Sequence, residues 1–151
     1  MKIIVDDLSG KEIADFLDQH IREMKTLSPP ESKHSLDLEG LCKPEITFWT
    51  VWDGRMLVAC GGLKELNAEQ GEIKSVRTSS LCRQKGVASK LLQHMLDEAE
   101  KWGYTRLSLE TGSMEYFAAA RKFYEKFGFE YCEPFSDYRI DSHSVFMTKV
   151  L

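Results

Sequence analysis

The chain of 151 residues has the length of one folding unit, and with 42% hydrophobic and 29% charged residues it reads as globular, neither disordered nor fibrous. Its formal charge of −4 excludes a general electrostatic grip on nucleic acid, which needs a basic field to release counterions. No segment approaches about eighteen consecutive apolar residues, and MKIIVDDLSG turns acidic before a signal-peptide core could form, so the expectation is one cytoplasmic domain over residues 1–151 with no membrane partner.

The run KIIVDD predicts a first strand, and Ser9 and Glu12 have the spacing of a capping box at a helix start. Ile13, Phe16, Leu17, Ile21 and Met24 then recur at helical spacing, until Pro29 and Pro30 end the helix. A short helical turn is expected around Leu36 to Leu41. From Ile46 the pattern becomes β-branched and aromatic: ITFWTVW, a tight turn centred on Asp53 and Gly54, then MLVACGGLKEL, the clearest hairpin in the sequence. GEIKSVRT follows as a third antiparallel strand, and strand alternation places Trp49 and Trp52 on opposite faces.

The segment VASKLLQHMLDEAEKW carries Val87, Leu91, Leu92, Met95, Ala99 and Trp102 on one face, with Gly103 at the C-cap position. TRLSLET is an alternating strand. A helix from about Met114 to Phe127 follows, with Phe117, Ala120, Tyr124 and Phe127 on one side and Gly128 closing it; FEYCEP and SVFMTKV supply two last strands. This order predicts an α/β fold with a central mixed, mostly antiparallel sheet of six to seven strands and helices on both faces. Cys42, Cys60, Cys82 and Cys132 form no CxxC pair and have no histidine at ligand spacing, so free thiols and no metal are expected.

The segment GEIKSVRTSSLCRQKGVASKLL runs from a strand through a basic, glycine-bearing loop into a helix. A helix N-terminus presents unpaired amides and a positive dipole end, and so holds phosphate without a metal. Arg83 can fork onto phosphate oxygens, Lys85 adds charge, Gly86 permits close backbone approach and Ala88 keeps the first turn small. An ordinary strand-to-helix turn with solvated charges is the alternative. GxxxxGK[ST] and GxGxxG are both absent, which disfavours a nucleotide triphosphatase or a dinucleotide fold.

RQKGVA resembles the acetyl-coenzyme A loop R/Q-x-x-G-x-G/A of the GNAT superfamily of N-acetyltransferases, and FYEKFGF resembles its C-terminal LYEKxGF signature. The resemblance covers essentially the whole chain. It implies a splayed sheet, acetyl-coenzyme A wedged between the fourth and fifth strands, and direct acetyl transfer to a primary amine of a small molecule or protein, with no metal, by a monomer or a homodimer. By position it implies that the amides of Gln84, Lys85, Gly86, Val87, Ala88 and Ser89 hold the pyrophosphate with the Arg83 side chain. The backbone of Val76, Arg77 and Thr78 would pair with the pantetheine arm, and Val76 would stabilise the oxyanion formed by attack. Many relatives carry Asn where this chain has Phe117, so one cofactor contact there is missing or replaced.

Tyr124 falls on the family's proton donor to the departing thiolate; a core aromatic on the same helix face is the alternative. An amine attacks only when neutral, yet lysine-like amines titrate near about 10.4, so a base is required. Glu72 stands where relatives often place one; otherwise it is a carboxylate paired with Lys74 or Arg77. Glu110 is the rival base. Arg121 and Lys122 could reach the cofactor's phosphates, Cys82 raises a covalent route, and His34 could line the acceptor pocket. The resemblance implies that the first helix, the SPPES loop and the segment FSDYRIDSHS select the acceptor; there Asp137, Asp141 and Glu31 could favour a cationic amine, with ordinary solvated loop charges as the alternative. A non-catalytic acyl-coenzyme A sensor is the competing function.

Overall fold

The computed structural model describes residues 1–27, 38–82 and 86–151. In chain order these form β1 (Lys2–Val5), α1 (Lys11–Leu27), α2 (Leu38–Leu41), β2 (Ile46–Asp53), β3 (Met56–Asn67), β4 (Gln70–Thr78), α3 (Val87–Lys101), β5 (Arg106–Gly112), α4 (Ala118–Lys126), β6 (Glu130–Cys132) and β7 (Ser144–Val150). The seven strands make one sheet in the order β1-β2-β3-β4-β5-β7-β6, and within it β4 and β5 pair in parallel while the other neighbours are antiparallel. The α/β class and mixed sheet expected from the sequence are those observed.

Helices cover both faces, as the alternating strands require. The apolar stripe of α3, with Leu91, Leu92 and Met95 at 1% exposure or less, packs on Trp49, Val51, Leu63, Ile73, Leu107 and Leu109. Full burial of each such side chain contributes roughly 1.5–3 kcal/mol. On the opposite face Ile13 and Leu17 of α1, joined by Leu41, cover Phe48 and Cys60. Trp49 lies under α3, whereas Trp52 donates Nε1–H to Thr50 Oγ1 on the other face at 2.8 Å.

Three local expectations are corrected. Ser9 does not cap α1: its hydroxyl donates to Asp7 Oδ1 at 2.6 Å, and the helix begins after Gly10. The hairpin turn is Gly54–Arg55, one residue later than expected, because Asp53 still pairs with Met56 and the left-handed φ of 60° falls on Gly54. The helix placed from Met114 begins instead as a 3-10 turn, Glu115–Phe117, that tightens the entry to α4.

What positions the site is the join between β4 and β5. Their parallel pairing extends only from Gln70–Arg106 to Ile73–Leu109. Beyond it β4 continues along β3 to Thr78, while β5 continues along β7 to Gly112, so the sheet opens between them. Just past the join β4 carries one extra residue relative to β3, between the pairs Gly62–Lys74 and Cys60–Arg77, with Ser75 at a left-handed φ of 55°. Such a bulge bends its strand and resets the alternation of side chains. Val76 therefore joins the core under α3, and Arg77 returns to the α1 face, where its guanidinium lies 5.4 Å from the centre of the Phe16 ring.

Candidate functional site

On the α1 face of the opening, the two-residue period of β4 brings Glu72 and Lys74 side by side. Glu72 is only 2% exposed, and a buried carboxylate is costly unless it is paired and hydrogen-bonded. Here Lys74 Nζ lies 3.1 Å from Glu72 Oε2, and Tyr138 donates its hydroxyl to the same oxygen at 2.6 Å. Lys74 Nζ also donates to Tyr138 Oη at 2.9 Å, closing a triangle. Burial, then the neighbouring Glu72 charge, pushes the Tyr138 hydroxyl far above its ordinary range, so it remains a donor. Its ring is held by Phe135 and Phe146, at centroid distances of 5.2 and 5.4 Å. Of the two pairings open to Glu72, the structure makes the one with Lys74; Arg77 instead forks onto Glu23 at 2.9 and 3.0 Å.

Glu110 stands across the opening on β5, where Oε2 accepts the hydroxyl of Ser144 at 2.7 Å. Its charge also contributes to the upward shift of Tyr138, so both carboxylates act on the same hydroxyl.

On the α3 and α4 side, Tyr124 is 7% exposed and its ring meets Phe123 and Phe129 edge-on. No hydrogen-bond partner for its hydroxyl stands among the described residues, and burial raises its pKa, so the group is a neutral donor in the native fold. Arg121 uses Nη1 to donate to the carbonyls of Gly112 and Met114, at 2.7 and 2.8 Å, and so ties the end of β5 to α4. Phe117 lies directly against Gly112, where any Cβ would collide with its ring. The side chain that replaces the family's Asn thus fills space beside the strand end.

Arg83, Gln84 and Lys85 lie outside the described residues, as do Glu31 and His34. The remainder of the loop reading falls on α3. Its N-cap is Gly86, at φ 77° in the left-handed region that favours glycine, with no side-chain cap and no acidic residue in the first turn. The first-turn amides of Val87, Ala88 and Ser89 have no acceptor within the helix. Residues 76–78 lie on the stretch of β4 beyond its pairs with β5, which end at Ile73–Leu109.

Cys82 is buried in the core beneath α3, away from solvent, and the four cysteines are free. Among the described residues no cluster of His, Cys, Asp or Glu is arranged to hold a metal. A cavity of about 470 Å³ opens on the α1 face, lined by Glu72, Lys74 and Tyr138, by Lys64 of β3, and by the segment from Ser136 to Asp141. Asp137 and Asp141 thus line the same cavity as Glu72. The sequence reading missed Tyr138, which sits in an irregular segment without periodicity; its one signal is the aromatic cluster it forms with Phe135 and Phe146.

Residues 14–129 match the model of the Acetyltransferase (GNAT) family. The chain is 58% identical to the Uncharacterized N-acetyltransferase YsnE of Bacillus subtilis over the full length of both. It is 45% identical to the Uncharacterized N-acetyltransferase YedL of Escherichia coli, covering 99% of this chain and 94% of that one, and 34% identical to an IAA acetyltransferase of Azospirillum brasilense, covering 92% and 90%. Among solved structures, an acetyltransferase from Streptococcus agalactiae superposes with a TM-score of 0.76 at 20% identity, covering 99% of this chain and 98% of that one. An aminoglycoside 6'-N-acetyltransferase complexed with coenzyme A gives 0.74 at 17%, covering 99% and 97%.

Proposed function

The chain belongs to the GNAT acetyltransferase family and is an acyltransferase, and from that premise we propose that it acts as one domain, residues 1–151, to transfer acetyl from acetyl-coenzyme A directly to a primary amine. The observation that carries this reading is the opening beyond Ile73 and Leu109, flanked by buried Glu72 on one side and Tyr124 on the other.

The bound cofactor supplies an acetyl thioester. The amides at the start of α3, from Gly86 to Ser89, hold its phosphates together with Arg83, Gln84 and Lys85, and the backbone of Val76, Arg77 and Thr78, beyond the pairs with β5, orients its arm as an added strand. Glu72 takes the proton of the acceptor ammonium, directly or through water. Its Oε2 is occupied by Lys74 and Tyr138, while Oε1 makes no hydrogen bond among the described residues. The neutral amine would form the new C–N bond as the thiolate leaves, Tyr124 giving its proton to the sulfur and regaining one from the nitrogen, which sheds its second proton to become the amide. Burial keeps Tyr124 protonated in the native fold, so the proton is in place, while the raised pKa makes the hydroxyl a weaker acid than a free tyrosine. Arg121 holds the end of β5 that frames Tyr124, and Phe117 walls the arm with apolar surface in place of a hydrogen bond.

The test is release of free coenzyme A thiol from acetyl-coenzyme A with a panel of primary amines, alongside thermal shift with acetyl-coenzyme A alone. Stabilisation with amine-dependent release is expected. Stabilisation without release from any amine would make the protein a sensor instead.

A further inference from the structure

The cavity against Glu72 has a charge pattern that selects among amines. Among the described residues its lining holds three cations, Lys64, Lys74 and Arg139, and three carboxylates, Glu72, Asp137 and Asp141. These are not interchangeable pairs. Lys74 is consumed by Glu72 and Tyr138 inside the wall. Lys64 lies opposite Glu72 in the β3–β4 register, yet it makes no ion pair among the described residues, and neither does Arg139. The cavity therefore presents two cations without an ion pair among the described residues, beside a carboxylate whose Oε1 makes no hydrogen bond among them. A polycation would have to sit against Lys64 and Arg139, and like charges brought together across an interface cost several kcal/mol. A purely anionic guest would meet Glu72, Asp137 and Asp141.

We propose, building on the reading of acetyl transfer to an amine, that the acceptor is a small zwitterion whose amine faces Glu72 and whose anionic group is held by Lys64 and Arg139. A volume of about 470 Å³ accommodates a molecule of amino-acid or dipeptide size. The exposed side chain of Ile140 on the rim adds apolar surface for the acceptor's own side chain.

The experiment compares the standard L-amino acids with their methyl esters, and both with spermidine and an aminoglycoside, by coenzyme A thiol release. At least one amino acid is expected to exceed its ester in kcat/KM by about tenfold, since hydrogen bonds to a charged group contribute about that factor. In the doubly substituted Lys64→Gln, Arg139→Gln protein that ratio should fall to about one. Equal or better turnover of the esters or the polycations, or a ratio unmoved by the substitutions, would overturn the proposal. If no amine is acetylated, the acetyl-transfer reading fails. Calorimetric titration of the same acid and ester pairs into the protein with coenzyme A then decides the pocket's preference: tighter binding of the acids upholds it, and equal binding removes it.

Discussion

Tyr138 and Glu72, 66 residues apart in the chain, share a hydrogen bond of 2.6 Å, so the segment ahead of the last strand fastens the carboxylate that stands at the mouth of the split sheet. Tyr138 thereby fixes Oε2 as the oxygen of Glu72 that is spent on structure.

Replacing Glu72 with Gln is expected to lower kcat by about a hundredfold or more, the contribution of a positioned base, while the dissociation constant for acetyl-coenzyme A stays within about twofold. Steady-state kinetics with an identified acceptor, paired with calorimetry, checks both. Undiminished turnover would move the base to Glu110.

For Tyr124→Phe the expectation is a split between activity and stability. The hydroxyl has no protein partner among the described residues, so its loss should change unfolding free energy by less than about 1 kcal/mol. Turnover should fall by about tenfold or more, with KM little changed. Denaturant unfolding and initial rates on one preparation separate these effects, and a variant with wild-type kcat would leave Tyr124 a core aromatic.

Gly112→Ala forces the Phe117 ring aside, and overpacking of this kind costs roughly 1–3 kcal/mol. Gly86→Ala meets open space and carries only the left-handed backbone penalty, roughly 1–2 kcal/mol. The two are told apart by the double variant Gly112→Ala, Phe117→Ala, in which part of the first loss should be recovered. A single Gly112→Ala protein with unchanged melting temperature would show that the ring gives way freely.

Alkaline pH supplies a further check. Burial pushes the Cys60 thiol up to about 12 and raises Tyr124 and Tyr138 above their ordinary range as well. Each group is neutral when protonated, so the unfolded chain ionises first and binds fewer protons than the native one; the stabilising contribution is complete below about pH 9 and is lost as pH rises through about 12. Urea midpoints should be flat on this account to about pH 9 and then fall. Thiol alkylation at pH 8 should modify exposed Cys42 and spare Cys60 until the protein unfolds.

Much of this architecture was legible from the chain. The stripe of α3, the ITFWTVW hairpin and the final strands announce themselves because their periodicity coincides with burial. The bulge went unread although GEIKSVRT carries its trace: the apolar residues Ile73 and Val76 stand three apart, which breaks a two-residue period, and the register against β3 shows that Ser75 is supernumerary and that Arg77 changes face. The Ser9 capping box failed because Asp7, two residues away, offered a competing acceptor. At the site, Glu72 and Tyr124 were reachable through motif position. Tyr138 was not, because a long-range side-chain contact made by an irregular segment leaves no periodic trace.

The brief parallel join from Gln70 to Ile73 also sets how the backbone exchanges with solvent. Amides within the join are sealed on both sides and should lose their protons only when the whole sheet comes apart, whereas β5-facing amides a few residues further along β4 should exchange freely in the unliganded chain. A cofactor lying in the gap would lengthen the zone of slow exchange toward Thr78, making the ligand, in effect, a temporary eighth strand.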